Sequence, residues 1–323
     1  VLACPSPDEP VVDRWEVVHQ GLPGALLSVW GTSSTDVWAV GGDTGDGQGP
    51  LVIHFDGATW SRVPTGQTQG NLWWVFGFEG GPIYMGGDGG VILRYENGAF
   101  TPMATPGTNT VFGIWGASPD DVWAVGGASD ATGGFAWRLE GDAWVDEPTL
   151  PDNVELDAAL WKLYGRSGDD VWLVGSNGVS LHWDGSTLTQ GDTGVGTSLF
   201  TVHADAERFV AVGGTASGII VEYAGGTWSN TTPNPPPPGL SGVVLDDDGS
   251  GVAVGSFGAI YERSVSGEWA EAELDFNIAH TLHGVWLDER GDAWAVGGQV
   301  YSLPFDEGLL VHRGSSTIPS GGL

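Results

Sequence analysis

The sequence predicts an all-β protein, a seven-bladed β-propeller with four antiparallel strands per blade, on three observations. A short apolar segment ending in glycine recurs seven times along the 323 residues. Each unit holds four strand-like runs separated by turn residues. No stretch carries sustained helical periodicity with caps. Tandem four-stranded units of roughly 40–50 residues are the mark of a propeller.

The recurring segment is clearest in Asp36-Val-Trp-Ala-Val-Gly-Gly, Asp121-Val-Trp-Ala-Val-Gly-Gly and Asp292-Ala-Trp-Ala-Val-Gly-Gly. Weaker copies begin at Gly81, Asp170, Arg208 and Ser250. Their first glycines are Gly41, Gly86, Gly126, Gly175, Gly213, Gly255 and Gly297.

Residues 1–12 read as a tether ahead of the propeller. Val1-Leu2-Ala3-Cys4 looks like the end of a bacterial lipoprotein signal, with a small residue before the cysteine to be lipidated. Cys4 is then a lipid anchor and Pro5–Pro10 a stiff spacer. The alternative is an unpaired exposed thiol, and three residues stand ahead of Cys4 where a processed lipoprotein would begin. A single cysteine excludes an internal disulfide framework and any Cys-rich metal site.

In the first unit the strand-like runs are Leu26–Trp30, Val37–Val40, Leu51–Phe55 and Thr59–Val63, the last two joined at Asp56-Gly57. The third unit repeats the order with Val111–Trp115, Val122–Val125, Phe135–Leu139 and Ala143–Val145. The first two runs of each unit are almost wholly apolar, as expected of strands buried on both faces between neighbouring sheets. Trp38, Trp123, Trp172 and Trp294 share one repeat position, and Trp60, Phe100, Trp144, Leu188, Trp228 and Trp269 share another in the outermost strand. Both series read as wedges between blades. The outer series has no member in the seventh unit, which ends at Ser315–Pro319. Asp13–Val18, with Trp15, supplies the missing strand, so the N-terminal strand completes the last blade and the propeller spans 13–314. Closure removes a free sheet edge. Residues 315–323 form a tail with nothing to pack a core by itself, and ordered ends imply a neighbouring subunit or another protein holding them.

The unit Ser118-Pro-Asp-Asp-Val-Trp-Ala-Val-Gly-Gly, with hairpins such as His54-Phe-Asp-Gly-Ala-Thr-Trp, resembles repeats of secreted or lipoprotein bacterial propellers. It is more distantly similar to the Asp-box (BNR) propellers and the photosystem II assembly-factor family. The resemblance covers about residues 13–314 and implies a fold and an exported protein, at the outer membrane, the cell surface or beyond. It does not imply a chemistry, because propellers host unrelated activities. The Asp-box is degraded: Asp56 and Asp184 keep its turn aspartate, and Ala224 replaces it in the fifth unit. Sialidases of that type need clustered arginines, whereas Arg94 and Arg138 fall at equivalent positions of different blades.

The chain has 41 acidic residues against 10 basic ones, a formal net charge of −31. That excludes a nucleic-acid binder, which needs a positive surface. It also excludes charge-driven docking on anionic lipid, so membrane attachment would run only through Cys4. No apolar run is long enough to span a bilayer.

No phosphate-binding, nucleophilic or zinc-protease motif occurs, so no catalytic residues are assigned. A hydrolase would require ionisable groups converging on an axial pocket. His54, His182 and His312 share a third-strand position that alternates with Arg and Glu, the pattern of a partly solvated structural site. Asp36, Asp121, Asp170, Asp246 and Asp288 fall in turns between first and second strands, where carboxylates bond backbone amides. Asp43 and Asp46 are the weak calcium candidate; they lack the spaced ligands and closing Glu of a calcium loop. No other cofactor is implied.

Loop lengths point to a binding face. They vary between second and third strands, at 43–49, 128–134 and 299–307, and between units, at 147–156, 190–197 and 231–239. In a propeller these two kinds of loop emerge on one face, and binding residues sit on variable loops held by a rigid scaffold. The expected function is a non-catalytic surface module that engages a protein partner or its own copies there. Asn234 and Pro236, in a proline run, are candidate contacts. The alternative is a glycan-binding propeller using Trp73, Trp74 and Trp161.

Overall fold

The computed structural model describes residues 14–323. Asp13 and the tether 1–12 with Cys4 lie outside the described residues. Seven four-stranded antiparallel sheets follow one another round a central axis. Six use four consecutive strands. The seventh runs Thr281–Leu287, Ala293–Gln299, Asp306–Gly314 and then Arg14–Leu22, so the N-terminal strand is its outer edge, as expected. Trp15 is buried there, and its indole N–H donates to Glu262, which also accepts from Arg313. The preceding seam has the same set: Glu222 accepts from Trp269 and from Arg263. Trp15 therefore occupies the outer-strand position that Trp269 holds one blade earlier.

Aromatic wedges fill the seams between blades. Trp123 is wholly buried, 5.1 Å from Trp183 in the next sheet, with the Arg138 guanidinium 4.3 Å over its ring. The third-strand histidines belong to the same device. His54 bonds Asp36 at 2.6 Å and stacks on Trp38 at 4.1 Å. His182 repeats this with Asp170 and Trp172. His312 departs from the partly solvated setting expected of it. It is buried against Trp294, and desolvation lowers its pKa to about 4. Asp292 lies 3.9 Å from it, and Asp288 accepts the Trp294 indole N–H. The cluster Asp288, Asp292 and His312 has metal-like proximity. It departs from the pattern of the first blade, where Asp36 meets both Trp38 and His54: here Trp294 donates to Asp288, and neither ring nitrogen of His312 makes a hydrogen bond among the described residues.

Inner strands pack side by side around the axis, and glycine permits the approach. A Cβ on Gly165 would lie 2.4 Å from the Trp115 ring of the preceding blade, and one on Gly31 would lie 2.9 Å from Trp286. Among the described residues one short α-helix occurs, Asp152–Asp157, in the loop between the third and fourth blades. The tail 315–323 docks on its own chain. Ile318 donates its N–H to Glu16 and packs on the first seam, and Gly321 accepts from the Trp60 N–H. These contacts give the tail partners within its own chain.

Candidate functional site

Each of the seven inner strands carries a β-bulge near its start, at the same register. Pairing passes from Leu72 to Trp74 and skips Trp73, and from Leu160 to Lys162 and skips Trp161. The same break leaves out Leu27, Phe112, Phe200, Ser241 and His283 in the other five blades. A bulge frees one residue from the ladder and re-aims its side chain. Here it supplies one unpaired side chain per blade at one end of the axis.

Six of these seven line a cavity of 620 Å³ at that mouth, the exception being Leu27, which is buried against Ala25 and Phe305. The rest of the wall comes from connections between second and third strands, including Asp88, Thr215, Tyr301 and Phe305, and from Asn71, Thr110 and Lys162 in or beside the inner strands. This is the long-loop face identified by loop length. The aromatic side chains touch in series: Trp73 to Phe112 at 5.3 Å, Phe112 to Trp161 at 4.7 Å, Trp161 to Phe200 at 6.0 Å.

Lys162, His283 and Asp88 bring charge or a titrating ring to the cavity, beside the Tyr301 phenol. Lys162, the sole lysine of the chain, is 6% exposed. Its ammonium donates to the Phe112 carbonyl at 2.5 Å and lies 4.3 Å from the Trp74 ring. Gly113 keeps the neighbouring strand close: a Cβ there would stand 3.2 Å from the Lys162 Cα. Burial lowers the lysine pKa to about 7. His283 donates from Nδ1 to the Leu27 carbonyl at 2.7 Å, and its pKa falls to about 4 through desolvation and then the nearby Lys162 charge. Asp88 accepts from the Trp73 indole and from both nitrogens of Asn71. The axial pocket that a hydrolase would require is therefore present. Its ionisable groups are tied to backbone and to wall residues, and no nucleophile–base hydrogen bond links them.

Of the sequence candidates, Trp73 and Trp161 come together in the cavity. Trp74 turns under it, donating to the Ile114 carbonyl and carrying Lys162 on its ring. Asn234 and Pro236 are exposed on the loop before the sixth blade, outside the cavity wall; Pro237 ties that loop to Gly218. Asp43 accepts from the backbone of Gly45 and Gly70, while Asp46 pairs with Arg62 and Gln48. Those hydrogen bonds cap the loop. Arg94 pairs with Glu96 of its own strand and with Asp142 of the next blade, and Arg138 pairs with Asp121 of its own sheet, so each arginine is engaged by carboxylates of its own surroundings. Phe112, Lys162, Phe200 and His283 were not foreseen as site residues. Their signal is a repeat column that holds five residue types in seven units, and a composition with one lysine.

No family model matches the chain, and no curated protein matches it. Solved structures do match in fold. YCF48 from Cyanidioschyzon merolae superposes with a TM-score of 0.69 at 14% identity, over 93% of this chain and 98% of that one. YCF48 bound to D1 peptide gives 0.66 at 13% identity, over 96% and 99%. The extracellular domain of a putative hybrid two-component system from B. thetaiotaomicron gives 0.65 at 14% identity, over 93% of this chain and 40% of that one. These likenesses establish a seven-bladed β-propeller with distant similarity to YCF48. Among the described residues no helix is long and apolar enough to cross a membrane.

Proposed function

We propose that the chain is a non-catalytic binding module, exported to the cell surface or beyond, that holds a protein partner through its long-loop face with the axial cavity as anchor. One observation carries this reading: seven bulges at one register bring six side chains, mostly aromatic and each from a different repeat, to a single mouth. A rigid ring with a variable, aromatic centre suits recognition, because large side chains on fixed strands lose little entropy on binding. Support by analogy comes from a propeller of this fold solved with a peptide and from others serving as extracellular domains.

The test compares the two faces. Partner capture from the native extract by the wild-type chain should vanish with Trp73→Ala plus Trp161→Ala. It should survive Asp120→Asn plus Asp169→Asn in the short turns between first and second strands. Loss through the short-turn pair alone would reject the reading. Export through Cys4 is checked by mass spectrometry of the native protein; an unmodified Cys4 in the membrane fraction would reject the anchor. A glycan reading draws on the same Trp73 and Trp161 rings, and glycan-array binding lost in their alanine variants would favour it. Self-association at this face would instead appear as a mouth-dependent dimer in size measurement.

A further inference from the structure

We propose that the axial cavity takes a small free carboxylic acid with an apolar body, its carboxylate received by Lys162. The proposal rests on the reading of the cavity as a binding site and names the class of ligand. Lys162 is more than nine-tenths buried, lines the cavity and forms no ion pair with any described residue. One of its three N–H groups is engaged by the Phe112 carbonyl, and the Trp74 ring lies against the charge. Buried ammonium groups are otherwise paired, because a lone charge out of water is costly. A carboxylate entering the cavity would be that counter-charge. Its apolar body would meet Trp73, Phe112, Trp161 and Phe200, and a cavity of this volume is of small-molecule size.

The acidic surface opposes an incoming anion, yet exposed charges beyond about a Debye length of 8–10 Å are screened while a buried partner is not. The Asp88 carboxylate in the wall already accepts three hydrogen bonds, which leaves Lys162 as the group with free donors. Aromatic walls also attract cations, but here the chain's own ammonium lies on the Trp74 face. His283 offers no second positive charge, since its depressed pKa leaves it neutral near pH 7, so Lys162 is the cation of the cavity. The low pKa of Lys162 is consistent with a site completed by an anion.

The experiment titrates the full chain at pH 6 with 3-phenylpropionate, its carboxamide, and phenethylammonium, by calorimetry and by NMR of the protein labelled at its one lysine. The acid should bind at least ten-fold more tightly than the amide, and saturation should shift the single lysine signal. In Lys162→Met, melting confirms the fold and the acid should fall to the amide's affinity. Equal binding of acid and amide overturns the carboxylate while leaving the cavity a binding site. Absence of binding by all three compounds removes both. Tighter binding of phenethylammonium overturns the charge assignment. A tripeptide ending in phenylalanine that outcompetes the free acid, and does so only with a free C-terminus, overturns the small-molecule source in favour of a chain end. The NMR arm decides the matter in wild type even if Lys162→Met does not fold.

Discussion

The seams between blades and the mouth of the axis are built from the same residue types under opposite rules. At a seam the repeat draws on a small set of parts, with His, Arg or Glu at the third-strand position of every blade. Asp36, Trp38 and His54 recur as Asp170, Trp172 and His182, and Arg138 takes the histidine's place on Trp123. At the mouth the register is constant and the chemistry is not: the bulged position is Leu27, Trp73, Phe112, Trp161, Phe200, Ser241 and His283 in turn. In a repeat protein each unit serves as the control for the others. At the seams the units share few residue types; at the mouth they part.

The largest test of the seam is the one that closes the ring. Deleting residues 1–19 removes most of the outer strand Arg14–Leu22, leaves Asp306–Gly314 as a free edge and exposes the surface around Glu262 that Trp15 covers. Free edges recruit other chains. Size-exclusion chromatography with light scattering should show aggregates or a fall in melting of many degrees. A monomer as stable as the full chain would mean that the seam at this blade contributes little.

Next in size is Trp123→Ala. The residue is wholly buried, and a cavity of that kind costs about 3–5 kcal/mol. Urea unfolding measures it directly. A loss below about 1 kcal/mol would place Trp123 with the mouth residues and erase the distinction.

The ring and its closure were legible because they depend on features that repeat: the glycine-ended segments, the outer tryptophan series and its missing seventh member. Strand ends were less so, since Leu26–Ser33 and Asp36–Asp43 run into a tight turn whose polar residues carry no strand pattern. The site was legible as a face and as two of its residues, Trp73 and Trp161. The bulges were not. The inner strands are nearly all apolar, so a one-residue slip leaves no break in alternation to read. Lys162 was hidden for the same reason, because its direction is fixed by the bulge before it. The docking of the tail through Ile318 and Gly321 depends on backbone groups of Ile318 and Trp60, which composition does not record.

Lys162 sharpens the comparison by its sign. Burial holds its folded pKa at about 7, below the ordinary 10.5, so between those values the unfolded chain binds more protons than the folded one. Stability should therefore rise with pH across that window, with the penalty full below pH 7 and gone above 10.5. Lys162→Met should stabilise the chain, on the order of 1–3 kcal/mol as buried charges replaced by apolar groups do. The gain should be largest at pH 6 and shrink toward pH 10. Urea unfolding of both proteins at pH 6, 8 and 10 reads the difference. A destabilised variant with no pH trend would make Lys162 a structural residue like those of the seams.

The smallest expected effect on stability is that of Trp161→Ala, and its smallness is the point. Trp161 is only partly buried, touches Phe112 and Phe200 across the mouth, and sits at a bulge outside the strand ladder. Its removal enlarges a cavity that is already open and leaves each neighbour its own blade, so the cost should be about 1 kcal/mol, well under that of Trp123→Ala. The same change should weaken binding of 3-phenylpropionate several-fold, because it takes away a wall that a ligand's apolar body would cover. The two readouts together decide the matter. A large loss of stability with unchanged binding would show that the mouth aromatics are one more wedge, held by packing like the rest of the ring.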